Sequence, residues 1–519
     1  MTGSPGRGAS PAATRIESQR VHRSIGVTAA VVFVGMTVVM AAEPELEPVD
    51  PAASKTISGT GVKDRSGEDL DFLRIQSCAS STCHGGVEDR GPKWNHSIAT
   101  WNRRDPHATA GEILRRDAPT ASADIVRRLA PAAATDDAVY RQVLRTRCIS
   151  CHTSATATHV DDPSIAPEAF ESVVSGGVSC QSCHGPASAW LSAHLSVAFD
   201  GGSDAAAGMG FVNLEDPATR AEQCVGCHVG SRTRDGVVRD MNHDLIAAGH
   251  PPLRFDLLTF DANQPKHWDV QTRTARPAVQ RRRIGRQVAR IQAATLAAQR
   301  ATDHTRSPDV PFPELSDHDC FACHARLSIG DYDIRGLDDD RDLPTVSRGI
   351  PGWNAWQWTR WHTGGSRSSD DHVAPPIPGR SSPEEAVAFA AARRRDAVAE
   401  LARVQTTADD TASTATQLSR LAERLADDPP RDWNEAADVH LDLRAISIDA
   451  SPPTAKTLAD VVRRSEEALR FSAAADLPPG RGPLDSPDGF DAAEWARALS
   501  KSIRSSAASS AALPDASTP

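Results

Sequence analysis

Between about 278 and 302, Val279, Ile284, Val288, Ile291 and Leu296 recur at helical spacing with Arg and Gln between them, which predicts the clearest long helix of the chain. Beyond about 380 the pattern is again helical. Ser382-Pro383-Glu384-Glu385 reads as an N-cap with Pro at the first helical position and Glu at the third. Leu418, Leu421 and Leu425, and then Val439, Leu443 and Ile446, each fall on one helical face. A Pro/Gly cluster at 478–488 interrupts this helical region, and the Ser/Ala-rich stretch after about 505 reads as a disordered tail.

At the other end, Arg15, Arg20 and Arg23 precede an apolar run from Ile25 to Met40, with Val39 and Ala41 suited to the −3 and −1 positions of a cleavage site. The run falls short of the roughly 20 residues that span a bilayer, so residues 1–42 read as an export signal, with an N-terminal membrane anchor as the alternative. Either reading puts the rest of the chain outside the cytoplasm, in the periplasm or anchored facing it. Residues 43–70, rich in Pro, Ser, Gly and acid, read as a linker. The organisation expected is therefore signal or anchor (1–42), linker (43–70), a cysteine-bearing domain (71–375), a helical C-terminal region (380–504) and a tail (505–519).

Composition sharpens this picture. Over 519 residues the apolar fraction is 39% and aromatics are 5%, while Gly and Pro number 34 and 36, a thin core for so long a chain. A net charge of −11, with only six lysines, argues against a nucleic-acid partner, because nothing concentrates positive charge for a phosphate backbone.

The cysteines carry the chemistry. All ten fall into five pairs, each followed directly by His: Cys78-Ala-Ser-Ser-Thr-Cys83-His84, Cys148-Ile-Ser-Cys151-His152, Cys180-Gln-Ser-Cys183-His184, Cys224-Val-Gly-Cys227-His228 and Cys320-Phe-Ala-Cys323-His324. Two thiols at this spacing can add to the two vinyl groups of one haem while the adjacent His binds the iron from beneath. Zinc ribbons also pair cysteines, but five pairs combine awkwardly into four-ligand sites and zinc does not require the adjacent His. Disulfides suit an exported protein and leave the five histidines unexplained. Five covalent c-type haems are expected, and they supply the interior that the composition lacks.

An iron held by His on both faces is suited to electron transfer, whereas an open face can transform a small molecule. Of the 18 histidines, thirteen remain after the five proximal ones. The distal candidates are His96 and His107, close to Trp94 and Trp101; His194, after Cys183-His184-Gly185-Pro186; and His243 and His250, seven residues apart and so expected on one helical face. His159, His318 and His362 are reserves, and His267, His304, His372 and His440 read as ordinary polar positions. His152 and His184 are the closest proximal pair in sequence, so the second and third haems are expected to neighbour each other.

These residues resemble the cytochrome c-552/c-554 family of multihaem cytochromes, itself distantly related to hydroxylamine oxidoreductase. The resemblance covers about 70–365 and rests on Trp101 to His107, which looks like the family's W-x-x-x-D-P-H element. It rests also on Gly177-Val-Ser-Cys180 through Pro186, on Asn242 to Pro251, and on the long helix leading to Asp319-Cys320. It implies a mainly α multihaem cytochrome c fold with little β, helices and loops wrapped around stacked haems, most irons bis-His. Ala325 stands where relatives often carry a second His, only Tyr140 and Tyr332 are available for a tyrosine-modified haem, and no Cys-x-x-Cys-Lys motif occurs.

The expected function is electron transfer with redox partner proteins or a respiratory complex. The alternative is an oxidoreductase in which one open-faced haem acts on a small nitrogen or sulfur compound, with Arg254 or a spare His as proton donor or anion clamp.

Overall fold

In the computed structural model the described residues are 97–118, 120–154, 167–232, 237–268, 276–318, 356–359, 382–406, 412–430, 432–470 and 490–511, with the short pieces 70, 78–80 and 83–85. The N-terminal run, the fifth cysteine motif, His96 and the Pro/Gly cluster at 478–488 lie outside them. Among the described residues the protein is mainly α. The pair Ser231 and Arg239 forms an isolated antiparallel bridge, and no helix among the described residues is long and apolar enough to cross a membrane.

The cysteine-bearing part is made of short helices. They are α1 (Ser97–Arg104), α2 (Ser122–Leu129), α3 (Asp137–Val143), α4 (Ile149–His152), α5 (Pro167–Gly176), α6 (Cys180–His184), α7 (Asp204–Gly208), α8 (Pro217–His228), α9 (His243–Ala247) and α10 (Leu257–Asn263). Several begin with a side-chain cap: Asp136 for α3, Ser203 for α7, Asp216 for α8, Asn242 for α9 and Asp256 for α10 each accept from backbone N–H groups of the first turn. The second, third and fourth cysteine motifs close α4, α6 and α8, so each proximal His stands at a helix C-terminus.

The long helix α11 (Ala278–Arg306) matches the helix read at 278–302 and organises the molecule. It packs against α8 and α10, and also against α12 (Pro383–Thr406) and α14 (Trp433–Asp449) of a C-terminal set completed by α13 (Thr414–Asp427), α15 (Pro452–Leu469) and α16 (Ala492–Ala511). One apolar cluster joins Ala221, Val225 and Leu257 of the cysteine-bearing part to Ile284, Val288 and Ile291 of α11 and to Ala397, Leu401 and Leu441 beyond it. The C-terminal helices therefore share a core with the rest of the chain. Helix α16 continues to Ala511 with Ser506 buried, past the residue 505 from which the composition suggested disorder.

The capping box read at Ser382 is present: Glu385 N–H donates to Ser382 Oγ at 3.3 Å and Ser382 N–H donates to Glu385 Oε2 at 3.0 Å. Leu418, Leu421, Leu425, Val439, Leu443 and Ile446 are all buried in the C-terminal core around Trp433.

Helix α11 is buried on far more of its circumference than its Arg-rich sequence suggests. Arg282 is 4% exposed and is held by Asp256, Asp438 and Asp442, while Arg286 reaches Asp438 at 2.5 Å. Three aspartates from α14 and the start of α10 thus supply the countercharge that allows these guanidinium groups into the interior.

Candidate functional site: four facing pairs of histidines

A single turn ties the site together. Trp101, in α1, donates through Nε1 to Val178 O at 3.0 Å, and Val178 N–H donates to His107 O at 2.9 Å. The chain between them enters a 3₁₀ turn, Pro106–Thr109, capped by Asp105. Gly177 makes the close approach possible: its φ is +54°, and a Cβ there would lie 2.5 Å from Ala108 O and 2.6 Å from His107 O. The stretches singled out at Trp101–His107 and Gly177–Cys180 are thus halves of one contact.

Each proximal histidine among the described residues faces a second histidine. Ring centroids are 6.4 Å apart for His84 and His194, 6.0 Å for His228 and His107, 6.2 Å for His152 and His250, and 6.5 Å for His184 and His267. A metal bound from opposite sides, about 2 Å from one nitrogen of each ring, places two imidazole centroids about 6 Å apart. All four pairs have this spacing, and all lie beside a cysteine pair.

Hydrogen bonds set which ring nitrogen is available to a metal. Nδ1 of His152 lies 3.0 Å from Ala110 O, that of His194 2.6 Å from Leu191 O, that of His250 2.9 Å from Pro251 O and that of His267 3.2 Å from Pro265 O. A carbonyl can only accept, so Nδ1 carries the proton and Nε2 presents its lone pair. His107 Nδ1 instead meets Asp105 Oδ1, at 2.9 Å. Burial keeps the rings of His84, His152, His228 and His250 below the usual imidazole range, the neutral form that a metal needs.

The eight described cysteines are not joined as disulfides. Burial pushes the Cys148 thiol up to about 12 and, as the largest cause, Cys180 to about 11. No group of three or more His, Cys, Asp or Glu side chains converges on a metal position among the described residues, so a zinc-ribbon arrangement finds no support there. Paired cysteines with paired imidazoles fit a haem held by two thioethers and two axial nitrogens.

The motifs also meet one another. Cys151 Sγ lies 3.8 Å from Cys227 O and Cys227 Sγ 4.0 Å from Ser150 O, so the second and fourth motifs are in contact. Helix α6, with the third motif, packs on α8, with the fourth, and Trp190 and Phe211 link His194, beside the first motif, to His184 of the third, with successive ring centroids 5.4, 5.2 and 6.3 Å apart. The expected neighbourhood of the second and third motifs takes the form of a serine cluster, with Ser154 Oγ 2.9 Å from Ser179 Oγ and 2.6 Å from Ser182 Oγ.

Three distal candidates, His107, His194 and His250, face a proximal ring. His267 does so as well, although its sequence context reads as ordinary; Trp268, 5.1 Å from it, is the one local signal of the kind that marked the other candidates. His243 faces none of the four described proximal rings. It does not share a helical face with His250, because α9 ends at Ala247 and Gly249, at φ +109°, turns the chain first. His243 N–H donates to Glu314 Oε1 at 2.8 Å, which places it beside the segment leading to the fifth motif. His96 lies outside the described residues, as do Cys320, Cys323 and His324. Arg254 stands over Trp433, 4.9 Å from its centroid, and so belongs to the contact with the C-terminal helices.

Cysteine pairs with facing imidazoles define the protein as a c-type cytochrome, mainly α, built to hold covalently bound haem. Residues 77–185, which contain the first three motifs, match the family described as cytochrome c554 and c-prime. No curated protein and no solved structure matches the chain.

Proposed function

We propose that the protein is an exported pentahaem cytochrome that passes electrons between redox partner proteins. The observation that carries this reading is the set of four facing histidine pairs, with centroids 6.0–6.5 Å apart. When bound, each haem supplies a one-electron iron couple. The chain's paired thiols would attach it and the two facing imidazoles would hold the iron, while the fold would fix the distance to the next site. Iron so held would leave no place for a substrate at these four sites, so an enzymatic role would have to rest on the fifth.

Contacts between motifs support a relay running from the first site through the third and fourth to the second. His243, Glu314 and the Arg300 cluster with Asp240 and Asp317 border the approach to the fifth. Export follows from the apolar N-terminal run and from the usual location of c-type cytochromes.

The deciding experiment is a pyridine haemochrome count per chain combined with visible and EPR spectra of the oxidised protein. Five haems, all low-spin, are expected. A high-spin fraction of about one haem in five would transfer the reading to an open-faced enzyme, and a chain isolated without haem would overturn it.

A further inference from the structure

Of the five paired imidazoles whose Nδ1 hydrogen bond is defined above, four point to a backbone carbonyl and one to a carboxylate. The exception is His107, which faces His228 at the fourth site. Its partner Asp105 is 5% exposed and is held in place twice, by His107 Nδ1 at 2.9 Å and by His107 N–H at 3.0 Å. A carboxylate on the outer nitrogen of a metal-bound imidazole raises the basicity of the ligating nitrogen, which favours the more highly charged metal. The buried negative charge acts in the same direction, with little water to screen it.

We infer that Asp105 makes the fourth site the lowest in potential of the four described, and so places an uphill step between the third site and the second. It acts through His107 and is a positioning and tuning residue. This inference rests on the paired-imidazole reading of the previous section. The haem count and low-spin signature of the unaltered protein test that reading separately.

The test is an EPR-monitored redox titration of the full-length holoprotein and of Asp105→Asn and Asp105→Ser, both of which can still cap the 3₁₀ turn. The component to follow is the one lost in His107→Ala. That component is expected to be the hardest to reduce of the four in the unaltered protein. In both Asp105 variants its reduction equilibrium should become at least tenfold more favourable, about 59 mV for one electron, with the other components in place and the haem count unchanged. An unmoved component at full haem content overturns the inference. So does an equal shift of every component, which would report only the altered net charge. Loss of the component from both variants would also overturn it, since Asp105 would then hold the ring without tuning it.

Discussion

The four histidine pairs differ in the mutual tilt of their rings. His84 and His194 are nearly parallel, at 9°, whereas His107 with His228, His152 with His250 and His184 with His267 are at 81°, 82° and 70°. Parallel axial imidazoles split the iron d orbitals rhombically, and crossed ones leave them nearly degenerate. EPR of the oxidised protein is therefore expected to show one rhombic and three strongly anisotropic low-spin signals from these sites. Four alike signals would contradict the ring geometry. His267→Ala should convert one site to high-spin while leaving the haem count intact, since Cys180 and Cys183 still attach it; an unchanged low-spin spectrum would remove His267 from the ligand set. Gly177→Ala should cost about 1–3 kcal/mol for its backbone conformation alone, with the collision against His107 O in addition, and is best read in the yield of holoprotein and its thermal midpoint. The proximal residues were legible because Cys, Cys and His are neighbours in the sequence. Facing partners are chosen by tertiary contact, which is why nothing in the local sequence but Trp268 marks His267, and why His243 and His250 do not share the helical face that their spacing suggests.

Helices were the most legible elements, above all α11 and the box at Ser382. What the sequence withheld was which polar faces are buried. Arg282 looks like a solvated residue until Asp256, Asp438 and Asp442 close around it, and those acids come from segments far away in the chain. Asp438→Ala leaves guanidinium groups of α11 short of countercharge and should destabilise the fold by about 3–5 kcal/mol in denaturant titration. His440 of α14 is likewise buried, with Nδ1 3.1 Å from Ser465 Oγ, and burial lowers its pKa to about 4. The unfolded chain takes up this proton near pH 6.5 and the folded chain only near 4. His440 thus contributes its full stability above pH 6.5, and that contribution is lost as pH falls toward 4. At roughly 1.36 kcal/mol per unit the loss is about 3 kcal/mol. His440→Gln should flatten this part of the stability profile, and an unchanged acid limb would show that other groups govern it.

At the scale of the whole molecule, the C-terminal helices complete the core. Ala397, Leu401 and Leu441 close a cluster whose other side is formed by α8 and α11. Removing the chain from residue 383 onward should therefore disturb the fourth site, seen as a change in the His107–His228 EPR component. A truncated protein with unaltered spectra and thermal midpoint would show the opposite. Order along the chain also differs from order in space. The shortest interval, between the second and third motifs, is bridged by serines, while thiols of the second meet the fourth.

The histidine pairs have a further consequence, for what holds the folded chain together. Each pair joins positions on the order of 100 residues apart, and every new span opens before the previous one closes: 84 to 194, 107 to 228, 152 to 250, 184 to 267. Iron held by both rings of a pair would tie such distant segments together in the folded form, and metal binding free energy would then add to apolar burial in a protein whose composition is poor in core-forming residues.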